Sequence, residues 1–145
     1  MGAREEIERL IYEYASRLDA GDLQGVGALF AQGEIVSGNN RARGAAEVEA
    51  LYRRWVRIHP DGTPRTKHLT TNVTVEVDEE KGTATARSAF IVFQQTDSLP
   101  LQPIIAGRYE DEFIRSGDGW CFRQRRIVSE LLGDLSQHLL YPYRG

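Results

Sequence analysis

The sequence is short of several things, and each shortage excludes something. It has one cysteine, Cys121, in 145 residues. That excludes an internal disulfide and any cysteine-cluster metal site. Such a chain suits a reducing compartment, so a cytoplasmic location is expected. Its three histidines, His59, His68 and His138, fall in a helix end, a strand and a tail, without metal-ligand spacing. No metal site is therefore expected. No apolar run approaches the roughly 20 residues that span a bilayer. The opening MGAREEIERL is charged at once and lacks the serine or threonine of a myristoylation signal, so neither a leader nor a lipid anchor is expected. Basic residues are not in excess: 18 Lys and Arg stand against 21 Asp and Glu. A nucleic acid or an anionic membrane is not an expected partner. The basic, aromatic turn YRRWVR in an acidic chain reads as a surface feature. There is no glycine-rich phosphate loop, no nucleophile elbow, no repeat and no long linker.

What is present suits one ordinary domain over residues 1–145, with 41% hydrophobic residues to build a core. Helical patterns come first and long strand patterns after, which indicates an α+β fold rather than alternating α/β. Ile7, Leu10, Ile11, Tyr14 and Leu18 make one apolar face of a helix over 3–20. Gly21 is a left-handed stop, and Asp22 can cap a short second helix over 23–30. A short strand follows over 34–38. A third helix is expected over 44–60, with Val48, Leu51, Trp55 and Val56 inward. Four strand patterns, counting from TKHLTTNVTVEVDE, through GTATARSAFIVFQQT and IIAGRYEDEFIRS, to WCFRQRRIVSELL, lead into a tail, SQHLLYPYRG. Turn signals at EEKG and GDG arrange the long strands as an antiparallel meander.

Asp19 stands on the last turn of the first helix, at the negative end of its dipole, where a carboxylate is disfavoured. His68 is the residue that could offset it. Strand parity groups His68 with Thr70, Asn72 and Thr74, opposite a face of Val73, Val75 and Val77. That row could be the wet side of a half-exposed sheet, or it could line a site.

Three motifs, IYEYASRLDAGDLQGVGALFA, TKHLTTNVTVEV and AGRYEDEFIRSGDGW, occur in order along nearly the whole chain. Together they resemble the SnoaL-like branch of the nuclear transport factor 2-like superfamily. This branch includes scytalone dehydratase, bile-acid 7α-dehydratase, hexachlorocyclohexane dehydrochlorinase and SnoaL-type polyketide cyclases. The resemblance implies a cone: a curved, mostly antiparallel sheet wrapped around N-terminal helices, with a deep pocket between them. It implies that His68 is a general base oriented by Asp19. Tyr14, five residues before Asp19, would donate to a departing oxygen, or else sit in the core. A family arginine falls in FRQRRIV; counting from Trp120 favours Arg125, while alternation favours Arg126 unless a bulge intervenes. That arginine would bind an anion or an enolate oxygen, or pair across strands with EDE. The chain departs from its relatives in AFIVFQQ, which has neither a second histidine nor an aspartate. An apolar pocket is the consequence, with Phe90, Val92, Tyr109 and Trp55 as expected substrate contacts. The implied activity is that of a cofactor-independent lyase or isomerase acting on a small, mostly apolar or polycyclic substrate. A non-catalytic binding module, or a partner subunit like those of ring-hydroxylating dioxygenases, is the rival expectation. The broad sheet and apolar tail lead to the expectation of a homodimer or homotrimer.

Overall fold

A computed structural model describes residues 2–117 and 119–142. The chain opens with α1 (Ala3–Asp19), α2 (Leu23–Ala28), β1 (Glu34–Ser37), β2 (Asn40–Arg43) and α3 (Gly44–Trp55). It continues with β3 (Thr66–Asp78), β4 (Thr83–Gln94), β5 (Gln102–Ser116) and β6 (Gly119–Leu132). One six-stranded sheet results, in the order β2-β1-β6-β5-β4-β3. All neighbours are antiparallel except β1 and β6. The helices cover the inner face of this curved sheet, which is the α+β arrangement expected. Among the described residues no helix is long and apolar enough to cross a membrane.

The α1 stripe Ile7, Ile11, Tyr14 and Leu18 is buried against the sheet, where Phe113 and Phe122 meet it. Gly21 ends the helix region with φ +79°, and a Cβ there would lie 2.1 Å from the Gly62 carbonyl oxygen. Only glycine meets both conditions. Asp22 accepts from the Gly25 N–H at 2.8 Å and caps α2.

Four details depart from the sequence expectation. Helix α2 stops at Ala28, two residues before the expected end. Strand β2 was not expected; its pattern NRAR buries only Ala42 and carries no alternation. Helix α3 stops at Trp55 instead of running to Pro60. There Val56 turns extended and bridges Leu139 of the C-terminal tail. Arg57 N–H donates to the His138 carbonyl at 2.8 Å, and Leu140 N–H to the Trp55 carbonyl at 2.9 Å. The helix gives way to a pairing with chain about eighty residues later.

The fourth departure moves the face of His68. Between Thr71 and Thr74 strand β3 carries one residue more than β4, and Asn72 has φ +55°. Such a bulge resets the alternation. Thr66, His68 and Thr70 before it share the inner face with Val73, Val75 and Val77 after it, while Asn72 and Thr74 are exposed. His68 is therefore on the valine side of the sheet and not opposite it.

Candidate active site

The site begins at the disfavoured carboxylate. Asp19 Oδ1 accepts from His68 Nδ1 at 2.6 Å and from Thr66 Oγ1 at 2.8 Å. Its Oδ2 accepts from the His68 backbone N–H at 2.8 Å. Thr66 and His68 are two apart on one strand, so both reach the same helix end. Burial works to raise the Asp19 pKa, but the attraction of the His68 ring and the hydrogen bonds from the His68 backbone and Thr66 outweigh it and hold the carboxyl below its ordinary value. Asp19 is thus an ionised, pure acceptor. The hydrogen between it and His68 belongs to Nδ1, which leaves Nε2 with a bare lone pair. Among the described residues nothing hydrogen-bonds to that nitrogen.

His68 lines a cavity of about 670 Å³ between the helices and the sheet. That is the size of an ordinary small-molecule site. Tyr14, Trp55, Phe90, Val92 and Tyr109, all expected from the sequence, line it as well. Phe90 stacks on Tyr109 with ring centroids 4.5 Å apart. Residues of the β1–β2 turn and of the tail complete the wall, including Asn39, Leu135, His138 and Leu139.

Tyr14 combines the two roles left open for it. It is buried on the core face of α1, and it lines the cavity. Its hydroxyl makes a short hydrogen bond to the Tyr52 hydroxyl. Burial raises the pKa of Tyr14, Tyr52 and Tyr109, so all three keep their protons and remain donors. Tyr52 was missed by sequence reasoning. It follows Leu51 at the edge of the α3 apolar stripe, where nothing distinguishes a core tyrosine from a site tyrosine.

A second bulge separates the two arginines. Phe113 pairs with Phe122 and Glu112 with Gln124, so Arg123 is an extra residue in β6. Phe122 and Arg125 are fully buried, whereas Arg126 is half-exposed, stands 3.8 Å from Glu110 and borders the cavity. Arg125 does not line the cavity, however, and does not reach a ligand there as expected. It is fully buried and forks onto Asp111, Nε to Oδ1 at 2.8 Å and Nη2 to Oδ2 at 2.9 Å. Its guanidinium lies 3.7 Å from the Tyr109 ring centre and 4.4 Å from that of Tyr14. This is the cross-strand pair with EDE. Burial works against the Arg125 charge, but Asp111 outweighs it and raises the arginine pKa further. Arg125 thus supports two cavity tyrosines from behind.

His138 is the second histidine of the cavity. The tail carrying it is held by His59 Nε2 and Gln94 Nε2, both on the Gln137 carbonyl, at 2.8 and 3.0 Å. Burial first, then the neighbouring His68, lower the His138 pKa from 6.5 to about 3. A histidine so depressed makes folding pH-dependent. The unfolded chain takes up this proton near pH 6.5 and the folded one only near pH 3. Stability from His138 is complete above pH 6.5 and declines as the pH falls toward 3, by up to about 1.4 kcal/mol per unit. His138→Gln should flatten the acid side of a plot of denaturant midpoint against pH between 6 and 4. An unchanged slope would count against a buried neutral ring.

The comparisons with known proteins agree with this fold. The family model described as a SnoaL-like domain matches residues 1–126. A protein of unknown function from Mycobacterium tuberculosis superposes with a TM-score of 0.73 at 26% identity, covering 89% of this chain and 72% of that one. An NTF2-like protein with a cystatin-like fold from Novosphingobium aromaticivorans gives a TM-score of 0.72 at 27% identity, covering 88% and 81%. A provisionally named scytalone dehydratase from the same organism gives 0.73 at 22%, covering 97% and 89%, a likeness of fold. No curated protein matches the chain. With its helices, its sheet and the matched residues in agreement, the chain belongs to the SnoaL-like domain family and has the cystatin-like fold of NTF2-like proteins.

Proposed function

We propose that the protein is a cofactor-independent lyase or isomerase that begins its reaction by taking a proton from carbon. The observation that carries this reading is the Asp19–His68 pair at 2.6 Å, with His68 lining a half-open, largely apolar cavity. A neutral imidazole is a base suited to neutral pH, and an ionised partner on its far nitrogen stabilises the imidazolium as it forms. Tyr14 and Tyr52 supply protonated hydroxyls at the same wall for an oxygen that gains charge. Phe90, Val92, Tyr109 and Trp55 favour a flat, apolar or polycyclic body. Elimination, isomerisation and cyclisation all share this first step.

The test works with surrogate substrates. A set of one- to three-ring ketones is incubated with the protein in D₂O, and NMR follows deuterium entry at the α-carbon. Exchange above background, lost in His68→Ala, is the expected result. No exchange and no new product with any ketone would sink the reading. Tyr14→Phe keeps the ring that packs on Arg125 and removes only the hydroxyl. It should lower the melting temperature by only a few degrees and slow exchange about five- to tenfold, the scale of one hydrogen bond. Unchanged exchange would return Tyr14 to a purely structural place.

A further inference from the structure

His138 is a buried side chain that the catalytic pair does not use. Only 7% of it is exposed. Its Nδ1 is buried without a hydrogen-bond partner, and among the described residues no bond is made by Nε2 either. Buried polar groups are normally satisfied, so an imidazole with both nitrogens open calls for an explanation. The ring lines the cavity, and its centroid stands 6.4 Å from that of His68. With Nδ1 enclosed by protein, Nε2 is the nitrogen that a cavity ligand can reach.

We propose that His138 is a substrate-binding catalytic residue, whose ring N–H donates to the oxygen of an enolisable ketone or aldehyde while His68 takes the adjacent α-proton. The proposal rests on the reading of His68 as a base and adds the class of substrate. An orphaned buried N–H is rarer than an under-satisfied acceptor, which favours the bare lone pair at the enclosed Nδ1 and the hydrogen on Nε2. The two rings meet edge to face, close enough for one carbonyl compound in the cavity to reach both, its carbon at His68 and the oxygen two bonds away at His138. Phe90, Val92 and Leu139 line the same cavity with apolar side chains, which suits the hydrocarbon part of such a carbonyl compound.

The electrons balance without another reactant. His68 Nε2 takes the α-proton. The C–H pair becomes the new C=C bond, and the carbonyl π pair moves onto oxygen as an enolate. His138 holds that oxygen through its hydrogen bond and keeps its own proton. His68 then returns the proton to a different carbon, or gives it to a leaving group expelled from the β-position. The depressed pKa of His138 fits this role, because the ring stays neutral and does not compete with His68 for the proton. A neutral imidazole that polarises a carbonyl oxygen is known chemistry.

The tail also gains a function. Residues 133–142 carry no strand or helix of their own, yet they bring His138 to the cavity beside His68. The Gln137 carbonyl, held by Gln94 and His59, fixes the residue next to the ring.

The experiment uses 2-naphthol as an enolate-like probe and naphthalene as its oxygen-free control, on the full chain. Histidine side-chain ¹⁵N NMR should show the His138 ring nitrogens shifting with 2-naphthol and staying in place with naphthalene. His138→Leu should weaken 2-naphthol at least tenfold by fluorescence titration and leave naphthalene within twofold. His138→Gln, which keeps an N–H at nearly the same reach, should recover most of the lost affinity. Equal 2-naphthol affinity in wild type and His138→Leu would overturn the proposal, as would unmoved ¹⁵N signals at saturation or no preference of wild type for 2-naphthol. The ¹⁵N arm needs no variant, so a poorly folded His138→Leu does not decide the matter. The two readings separate cleanly. If wild type exchanges no α-proton but the His138 signals and affinities behave as expected, the base reading fails and the ligand contact stands.

Discussion

His68→Ala should abolish nearly all proton exchange, by roughly 10²- to 10⁴-fold, while the protein stays folded. The side chain is 6% exposed but borders the cavity, so its removal enlarges a space already there. Asp19→Asn should cost nearly as much, for a reason the geometry makes specific. Oδ2 of Asp19 accepts from a backbone N–H that cannot turn around. An asparagine must therefore keep its carbonyl oxygen there. Its NH₂ group then faces His68 Nδ1 and Thr66, where Oδ1 now accepts. The threonine hydroxyl can rotate to accept, and the imidazole must accept as well. That drives the ring hydrogen to Nε2, the nitrogen that has to be bare. The variant would hold a well-placed histidine in the wrong tautomer. ¹⁵N NMR should show His68 protonated at Nδ1 in the wild type and at Nε2 in Asp19→Asn. The double variant should be little worse than His68→Ala, because the two act as one unit. Full exchange in either single variant would end the mechanism, whatever the tautomer.

The pair was legible in the sequence because its two ends have local signals. Asp19 stands at an unfavourable helix terminus just before Gly21, and His68 begins a long alternating strand. The resemblance joined them. What the sequence hid is non-local. The alternation of β3 contains no mark at Asn72 that announces a bulge, yet that residue puts His68 on the same side as Val73. The bulge at Arg123 likewise buries Arg125 and leaves Arg126 half-exposed, and it exists only as a mismatch with β5. Register belongs to a pair of strands and is not written in either one. The early end of α3 has the same character, since Val56 unwinds to meet Leu139. The place of His138 on the cavity follows from that pairing, which the tail read by itself does not reveal.

Arg125→Met should lower the melting temperature by about 10–15 °C, the effect of losing about 3–5 kcal/mol in a domain of this size. Both ends of the Arg125–Asp111 pair are fully buried, and the fork satisfies two oxygens at once. Removing the cation leaves Asp111 in an apolar layer between Tyr109 and Phe113 along β5, with no donor in place of the fork. Burial already raises the Asp111 pKa, and the Arg125 charge limits that rise. Without the arginine the carboxyl would take up a proton, which softens the loss at low pH but does not restore the hydrogen bonds. Arg125→Lys should fare little better, because a point charge cannot fork onto a carboxylate while packing a planar cation against the Tyr109 and Tyr14 rings. Replacing both partners, Arg125→Met with Asp111→Leu, should recover much of the stability, since no buried charge is left alone. Activity should not recover with it. The ring of Tyr14 would lose the guanidinium behind it, and its hydroxyl the fixed approach to Tyr52. The expected outcome is a stable double variant with slow exchange and an altered ¹³C signature for Tyr14. A double variant as active as wild type would show that the cluster only holds the sheet together. A single variant that melts like wild type would show that the pair contributes nothing to the fold.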